Sequence, residues 1–377
     1  MGGVSKKMFI SILTSVIVMV TMVATTFAWV GIFTYANTND FQLNLKTTGL
    51  DSNYYLIISS TGVEGTFSDE IPSIELKRQI IDEKYGNRYS DLNDDAIEQI
   101  YNNLKLETST TIVKDDNTLD SFKSIDYSNY YNVSYKESTG YYKFDLYLSV
   151  DTKEGVTSET TGIDANVYLD EIENMLIGTI HSGVMSNENP FLGLPSSPIN
   201  DILKTVPKAY NIDSKNAVRV ALSLYDPILI NKQYEDELPA KTIIYHGGNK
   251  FPSYDDVNDV YDMGGCMSVE QNLALQELFI LRPSYNIEST KSYLNEKFNL
   301  IKERESKELD ISNENRLIWN RNENTANNYF GIMNGMRTKI KITVHLWFEG
   351  WDADCLKSIE LQPVCLNLTF TTTENEI

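Results

Sequence analysis

The chain has 377 residues, of which 53 are acidic and 32 are basic, so its formal net charge at pH 7 is −21. Phe, Trp and Tyr make up 11% of the residues, which excludes a disordered chain, and 20 glycines with 10 prolines are too few for a collagen-like one. The surplus of carboxylates excludes a nucleic-acid partner, because binding to phosphates depends on clustered Lys and Arg.

The chain begins with a hydrophobic segment that is typical of export. Two lysines, Lys6 and Lys7, precede a largely apolar run over residues 8–33. At about 26 residues, this run exceeds the roughly 20 that an α-helix needs to cross a bilayer. Because positive charges stay in the cytoplasm, the rest of the chain would face outward. Residues 1–36 therefore predict one N-terminal hydrophobic helix, whose length fits a single-pass membrane anchor.

The end of the same run also fits a signal-peptidase site. Thr26 and Ala28 are small residues at positions −3 and −1 of a cut before Trp29. The sequence leaves a cleaved signal peptide and an uncleaved anchor open. Both alternatives place residues 37–377 in one extracellular domain, either secreted or on the outer face of the cell membrane.

Two strands are predicted after the apolar run. Residues 41–45 alternate apolar and polar side chains, which is the period of a half-buried strand, and residues 54–60 form a second strand-like run. The Gly, Asp and Asn residues within positions 49–53 are typical of a turn. The pair is therefore predicted to form a hairpin or a near equivalent.

A change to helical periodicity over residues 73–106 predicts a helical insertion in the β framework. Asn93 is a suitable N-cap for a helix over residues 93–104, because its side chain can accept a hydrogen bond from an amide of the first turn. Strand periodicity resumes at residues 141–150. In this strand Lys143 and Asp145 share a polar face, and the other face is apolar. The polar face is therefore predicted to be exposed to solvent.

The remaining elements complete a mainly β pattern. The predicted strands are 166–169, 216–225, 242–245, 338–348 and 366–370. A second helical insertion is predicted over 268–308, and its clearest helix covers residues 288–308. We expect the first and last strands to lie in one core. The predicted fold is an antiparallel β-sandwich, jelly-roll-like, with helical insertions near 73–106 and 268–308.

Three cysteines, Cys266, Cys355 and Cys365, are too few for a disulfide scaffold. At most one bridge can form. Cys355 with Cys365 is the preferred pair, because the two flank one hairpin-like C-terminal segment. Free buried thiols are the alternative, since a domain of this size needs no cross-link.

An acidic cluster follows the clearest strand of the chain. Glu349, Asp352 and Asp354 place carboxylates on one loop, and Ca²⁺ prefers several oxygen ligands of this kind. The loop is therefore a candidate calcium site, which would need further ligands from distant residues. The alternative is a tight turn in which the Asp side chains bond to turn amides and Trp347 or Trp351 covers one end of the sheet.

No enzyme signature is found in the sequence. His181, His246 and His345 are scattered, without the spacing of a zinc site. The chain contains no G-x-S-x-G elbow, no P-loop and no dinucleotide-binding fingerprint. We therefore predict a protein that is not an enzyme and that binds no cofactor, with calcium as the one possible exception.

Four short stretches carry a family resemblance: 26–29 (TFAW), 142–148 (YKFDLYL), 216–220 (NAVRV) and 344–355 (VHLWFEGWDADC). Together they resemble a broad group of uncharacterised exported proteins of low-GC Gram-positive bacteria. The first stretch is similar to the leader of the camelysin and TasA biofilm-fibre family, whose leaders end in a Thr-x-Ala-aromatic step and are cut by a dedicated signal peptidase. The resemblance implies an exported β-sandwich with insertions, and it does not imply an enzyme.

Two functional classes remain open. The first is a non-enzymatic cell-surface or extracellular-matrix structural protein, which forms fibres if a neighbour's residues 36–45 add to an open sheet edge. The second is a surface carbohydrate- or ligand-binding protein, or an unrecognised hydrolase. A concave groove lined by aromatic residues with facing carboxylates would favour the second class, and a flat surface the first. The predicted partners are the membrane through residues 8–33, further copies of the chain, other surface proteins or a polysaccharide.

Overall fold

The structure is a computed structural model of the chain. It describes residues 42–49, 54–89, 91–126, 134–153, 163–170, 175–178, 180–184, 209–235, 237–248, 253–255, 260–262, 308–310, 317–320, 329–350, 352 and 364–374. The predicted N-terminal helix, with Thr26, Ala28 and Trp29, lies outside these residues. The helical insertion predicted over 268–308 also lies outside them, apart from Glu308. No helix in the described ranges is both long and apolar enough to span a bilayer.

The described part of the chain is mainly β, as the sequence predicted. Its α-helices are α1, Ser73–Tyr85, and α2, Asp94–Tyr101, and 3₁₀ turns cover Asn87–Tyr89 and Ser214–Ala217. Its strands, in chain order, are β1 Gln42–Gly49, β2 Tyr54–Ser59, β3 Glu70–Ile71, β4 Thr108–Ser109, β5 Lys123–Asp126, β6 Ser134–Glu137, β7 Tyr142–Thr152, β8 Ile163–Asp170, β9 Leu176–Ile177, β10 Ile180–Val184, β11 Ala209–Asp213, β12 Val218–Leu224, β13 Ile228–Leu229, β14 Lys241–His246, β15 Ser253–Asp255, β16 Val260–Asp262, β17 Glu308–Asp310, β18 Leu317–Trp319, β19 Gly331–Met333, β20 Met336–Glu349 and β21 Cys365–Glu374.

Of these described strands, 15 hydrogen-bond into one large, mostly antiparallel sheet. Its main path runs in the order β17-β14-β12-β20-β19-β8-β21-β1-β3. In addition, β7 pairs with β20, and β2 pairs with β7. The short strand β19 pairs with both β20 and β8, so it connects a group of strands around β20 to a group around β8 and β21. Within the described ranges, the parallel pairings are β1 with β21, β14 with β17, and β4 with β20.

The strand β20 is central to the core, and it confirms the strongest strand prediction. Its alternate apolar residues are almost completely buried: Ile340, Ile342, Val344, Leu346 and Phe348. Val344 lies opposite Phe144 on β7 and Leu222 on β12. Because side chains two residues apart point to the same face, the period of two in the sequence becomes one continuous apolar surface across three strands.

The predicted hairpin between residues 41–45 and 54–60 is wrong. The eight residues of β1 pair in parallel with the last strand, β21, whereas β2 pairs with β7. Turn residues specify only that the chain changes direction, and the pairing of each strand is decided by burial of its apolar face. Leu45 belongs to the same buried cluster as Leu366 and Leu368, which confirms that the first and last strands share one core.

The helical insertion over residues 73–106 is confirmed. Leu76 and Ile80 of α1 are fully buried against the core. Asn93 is the N-cap of α2, and its side-chain oxygen accepts a hydrogen bond from the amide of Ala96 at 2.9 Å. The helix ends at Tyr101, before the predicted residue 104, because the next backbone hydrogen bonds are of the tighter 3₁₀ type.

The polar face of β7 is less exposed to solvent than predicted. Lys143 and Asp145 are half-buried, and Ser149 is fully buried and donates to a backbone carbonyl of β20 at 2.7 Å. At the Lys143 end of β7, this face is crossed by a covering segment formed by residues 118–122 and 137–141. Its residue Phe122 packs with Trp347 of β20 in a second, smaller buried cluster. The face is therefore partly covered, which creates a concave surface beside the covering segment.

Gly62 is held in the left-handed region, with φ +66°, directly beside the ring of Tyr147. A Cβ added to Gly62 would lie 2.6 Å from that ring. We expect Gly62→Ala to lower the free energy of unfolding by about 2–3 kcal/mol, because overpacking adds to the cost of the left-handed backbone. Gly335 is the matched control, since its φ is +75° and a Cβ there would meet nothing within 4 Å.

The measurement is urea unfolding of both glycine variants. Gly335→Ala should lose only the backbone contribution, about 1 kcal/mol. Equal losses in the two variants would show that the Tyr147 ring moves away from residue 62 without cost.

Candidate functional site

The acidic cluster predicted from the sequence lies at the end of β20. Glu349 is the last residue of that strand, and Asp352 follows it in a turn closed by a hydrogen bond from Asp352 N to Glu349 O at 3.0 Å. Gly350 in this turn donates its amide to Ser109 O at 2.9 Å. The two carboxylates are 0% and 2% exposed, so they are buried rather than open to solvent. Asp354 lies outside the described residues.

The Asp352 carboxylate is bound by a buried arginine, Arg219. This residue lies on β12, opposite Trp347 of β20, and its side chain has no exposed surface. Its Nη2 is 2.7 Å from Asp352 Oδ2, and its Nε is 2.8 Å from Glu308 Oε2 on β17. Its Nη1 donates to two backbone carbonyls just before it in the chain. Arg219 therefore joins three segments that are distant in sequence.

Buried charges surround this arginine. Burial by itself lowers the pKa of Arg219, but the Glu308 and Asp352 carboxylates, and then Glu349, outweigh burial and raise the pKa, so the guanidinium stays charged. Trp347 Nε1 donates to Glu349 Oε2 at 3.0 Å, which satisfies one oxygen of that carboxylate. The arrangement is a paired and hydrogen-bonded network, the form in which charged groups are tolerated in a protein core.

The helix predicted over residues 288–308 is wrong at its last residue, Glu308. It is the first residue of β17, and it lies opposite Ile244 in the parallel pairing of β17 with β14. The residue is 8% exposed and its side chain contacts Arg219. A buried ion pair outweighs the local helical pattern there, because an unpaired buried charge would cost far more than a change in helix propensity.

His246 on β14 is the histidine that borders this network. It lies opposite Arg219 in the pairing of β12 with β14, and it is 3% exposed. Burial and, next, the charge of Arg219 lower the pKa of His246 to about 4, although Asp310 on β17 opposes the shift. His246 is therefore neutral at pH 7.

The calcium site at Glu349, Asp352 and Asp354 stays a prediction, because Asp354 is not among the described residues. In the described ranges, no three His, Cys, Asp or Glu side chains are grouped so that they could hold a metal ion. Arg219 and Trp347 donate to the two described carboxylates, which fits the buried-turn alternative better than a chelating loop.

Titration of the purified protein with Ca²⁺ tests this point. We expect no heat of binding and no change in Tm, because N–H donors already bind Glu349 and Asp352. A rise of several degrees in Tm with added Ca²⁺, abolished in Asp354→Asn, would contradict the buried-turn alternative.

The disulfide between Cys355 and Cys365 also stays a prediction. Cys365 is half-buried at the start of β21, and its Sγ donates to Asn367 Oδ1 at 3.3 Å. Cys355 and Cys266 lie outside the described residues.

A separate cleft of about 490 Å³ lies on the polar face of the sheet. Its floor is formed by Lys143 of β7, Thr343 and His345 of β20, Ser223 of β12, and Tyr225 directly after β12. The register places His345 opposite Lys143 and Thr343 opposite Ser223. These side chains share one face because they occupy alternate positions of adjacent strands, on the opposite side from the core.

The covering segment contributes two stretches to the cleft, 118–122 and 137–141. Tyr141 stacks on Phe122, with ring centroids 3.9 Å apart and an angle of 19° between the planes. Phe122 also meets the edge of Trp347 at 5.3 Å. Phe122 is 5% exposed, whereas Tyr141 is half-buried, so Tyr141 is the aromatic surface that this wall presents. Tyr225 on the floor is a second aromatic.

Asp120 supplies a carboxylate to the cleft wall, and two lysines hold it in its charged form. Its oxygens lie 3.1 Å from Lys123 Nζ and 3.2 Å from Lys114 Nζ. The hydrogen bond from Lys123, followed by one from the amide of Ser121 and one from Lys114, lowers the pKa of Asp120 to about 2. Asp120 therefore remains an acceptor of hydrogen bonds at any physiological pH.

The other ionisable groups of the cleft are Lys143, Glu137 and His345. Lys143 Nζ pairs with Glu83 Oε1 of α1 at 2.8 Å, and Glu137 is an exposed carboxylate. Burial, followed by the charge of Lys143, lowers the pKa of His345 to about 3, so this histidine is neutral at pH 7. The cleft thus offers both hydrogen-bond donors and acceptors beside aromatic rings.

Neither the arginine network nor the cleft was predicted from the sequence. The sequence did contain a signal for the arginine network, because Arg219 is the one charged residue in the largely apolar strand predicted at 216–225. The cleft had a weaker signal, since Ser223, Thr343 and His345 are simply the polar positions of alternating strands. Only the strand register brings these three side chains together.

Comparison with known proteins finds no matching family model, no similar curated protein and no similar solved structure. The resemblance to exported proteins with a camelysin- and TasA-like leader stays a prediction, since the leader residues 26–29 lie outside the described ranges. Function is therefore inferred from the geometry of the described residues.

Proposed function

We propose that the protein is exported and binds a carbohydrate at the cell surface without catalysing a reaction. The observation that supports this proposal is the cleft, which is concave and combines Tyr141 and Tyr225 with the carboxylates of Asp120 and Glu137. Aromatic faces pack against the apolar faces of sugar rings, and carboxylates accept hydrogen bonds from sugar hydroxyls. A few polar groups beside aromatic surface are typical of ligand sites.

The proposal includes a β-sandwich, jelly-roll-like, with the cleft on an outer face. Two observations support it: Leu346 of β20 and Leu368 of β21 belong to one buried cluster, and among the described strands only the short β19 connects their two groups along the main path of the sheet. Two sheets that face each other would bury both residues in this way. A crystal structure in which these groups share no apolar interface would contradict the sandwich.

Export is supported by the apolar run at residues 8–33 and by the small residues that precede Trp29. Protease added to intact cells should digest the domain, and mass spectrometry of the native protein should show whether it begins at Met1 or at Trp29. Complete protection from the protease in intact cells would contradict an outward orientation.

Binding is tested by applying the full-length protein, purified in detergent, to a glycan array and titrating the sugars that bind. Tyr141→Ala should weaken binding at least tenfold, because it removes the aromatic surface of the cleft wall. Glu137→Gln should weaken it less, since only one exposed acceptor changes. Tyr85→Ala is the matched control, because Tyr85 is 45% exposed and lies outside the cleft. No bound glycan, or equal losses for the two Ala variants, would contradict the proposal.

A second candidate function is that of a structural protein of the cell surface or extracellular matrix that forms fibres by strand addition. One observation favours it: β1 pairs with β21 over its full length, while among the described residues its other edge pairs only with β3 at Leu45 and Lys46 and bonds to Asp69 O through the amide of Thr47. A strand with so few partners on one edge can be replaced by the same strand of a neighbouring copy. Its partner would then be another copy of the chain or another surface protein.

Light scattering and electron microscopy of the native mature protein test strand addition. Fibres that disappear when β1 is tethered to its own chain, by cysteines introduced at Leu45 and Leu368, would support it, since these residues lie opposite each other. The untethered double-cysteine variant under reducing conditions is the control. Monomers under all conditions would contradict this second function while leaving carbohydrate binding untouched.

A further inference from the structure

We infer that the ligand of the cleft is an uncharged oligosaccharide of at least two sugar rings, bound along the direction of strands β12 and β20. This inference rests on the proposed carbohydrate binding and adds the charge, the length and the orientation of the ligand. The placement of the two cleft tyrosines and the pairing of the cleft charges both support it.

The length follows from two aromatic residues at opposite ends of the cleft, Tyr141 on its wall and Tyr225 on its floor. The Tyr141 ring lies 6.0 Å from the His345 ring, so it belongs to the His345 end. Tyr225 belongs to the other end, because its amide bonds to Lys341 O at 3.0 Å. His345 and Lys341 are four residues apart on β20, which corresponds to about 13 Å along the strand at ~3.3 Å per residue. At this separation of the neighbouring backbone positions, we expect a single sugar ring to stack on only one of the two tyrosines.

The Tyr225 ring is held in place by neighbouring side chains. Lys341 Nζ lies 5.0 Å from the centre of the Tyr225 ring, and the Tyr234 ring lies 5.8 Å away at an angle of 66°. The Tyr234 hydroxyl has two carbonyl acceptors for its proton, Asp226 O at 2.7 Å and Lys339 O at 3.0 Å, and it accepts from Lys341 N at 3.0 Å. Because these contacts fix the ring before a ligand arrives, little side-chain entropy is lost on binding.

The charge follows from the pairing of the ionisable groups. The lysine on the floor, Lys143, already contacts Glu83, and Asp120 lies between Lys123 and Lys114, of which Lys114 also interacts with the charge of Asp116. An acidic sugar would have to compete with these carboxylates for the lysines, and it would also meet the exposed carboxylate of Glu137. A neutral sugar needs no such exchange, since its hydroxyls can donate to Asp120 and accept from Lys143 while both ion pairs persist.

The experiment is isothermal titration calorimetry of the full-length protein in detergent. The probes are neutral oligomers of glucose, N-acetylglucosamine and mannose with one to four rings, together with galacturonate oligomers of the same lengths. We expect at least one neutral series to gain tenfold or more in affinity between one and three rings and to change little afterwards. The galacturonate oligomers should bind at least tenfold more weakly than the neutral series.

Variants of the floor tyrosine test the orientation. Tyr225→Ala should lower the affinity for the trisaccharide towards that of the monosaccharide, without changing the affinity for the monosaccharide. Tyr225→Phe should retain the affinity, because it keeps the ring face. If Tyr225→Ala unfolds, Tyr225→Leu keeps apolar bulk and still removes the ring. A loss that is equal for the monosaccharide and the trisaccharide would overturn the orientation along the strands.

Two outcomes overturn the inference and leave the proposed function intact. The first is equal affinity for one ring and for three rings, which would show that the ligand contacts only one tyrosine. The second is tighter binding of galacturonate oligomers than of neutral oligomers. Failure of every saccharide on both the array and the calorimeter removes the proposed function together with the inference.

Discussion

Arg219→Met is expected to lower the free energy of unfolding by about 3–5 kcal/mol. Methionine fills much of the same volume, but it leaves the Glu308 and Asp352 carboxylates buried without the cation that binds them at 2.8 Å and 2.7 Å. The cost arises mainly from these uncompensated charges rather than from a lost contact. The variant should also loosen β17, because Glu308 ties that short edge strand to β12.

Urea unfolding measures this loss, with Arg337→Met as the matched control. Arg337 pairs with Asp151 at 3.1 Å, but the two side chains are 28% and 33% exposed. Removing this ion pair should therefore cost no more than about 1 kcal/mol. In the background of Arg219→Met, the further changes Glu308→Gln and Asp352→Asn should recover part of the loss. Similar losses for the two arginines would show that water reaches Arg219.

Acidification from pH 6.5 to pH 5 is expected to lower the free energy of unfolding by about 3 kcal/mol, roughly half of it from each of His246 and His345. The folded-state pKa values of these histidines are lowered to about 4 and about 3, mainly by burial. Their stabilising contribution is thus complete above the unfolded-state pKa, about 6.5. It is lost as the pH falls below that value, because the unfolded chain takes up protons that the folded protein does not.

Unfolding curves at pH 7, 6 and 5 measure this effect, and histidine variants assign it. His246→Gln and His345→Phe should each remove about half of the slope. Within the described part of the chain, the Nδ1 atoms of both histidines are buried without a hydrogen-bond partner, so neither replacement removes a bond from that nitrogen. Carboxylates contribute little in this range, since Asp and Glu of an unfolded chain titrate near pH 4. An unchanged slope in the double variant would contradict this assignment.

Local patterns in the sequence predicted several elements correctly. The strand at residues 338–348 was found because Ile340, Val344 and their alternate neighbours obey a period of two, and the same periodicity identified residues 141–150. The cap at Asn93 was found because it depends on the next three residues only. The predicted hairpin failed because turn residues do not specify the partner of a strand.

The candidate sites depend on pairings that no local pattern contains. The motifs at 216–220 and 344–355 each stand out in the sequence, but nothing in either shows that Arg219 of the first binds Asp352 of the second. The predicted calcium ligands were chosen because they are close in sequence. Of these predicted ligands, Asp352 is instead bound by Arg219, which the strand register brings to it, and Glu349 is bound by Trp347.

By itself, the sequence determined that the chain is mainly β, where its longest strands lie and where a helical insertion interrupts them. These features follow from the burial of one strand face and from caps that involve neighbouring residues. Only the tertiary structure decided that β1 pairs with β21, that Arg219 joins three distant segments, and that Tyr141 and Tyr225 line one cleft. The physical reason is that strand register and the compensation of buried charge are properties of the assembled sheet, and they have no period along the chain.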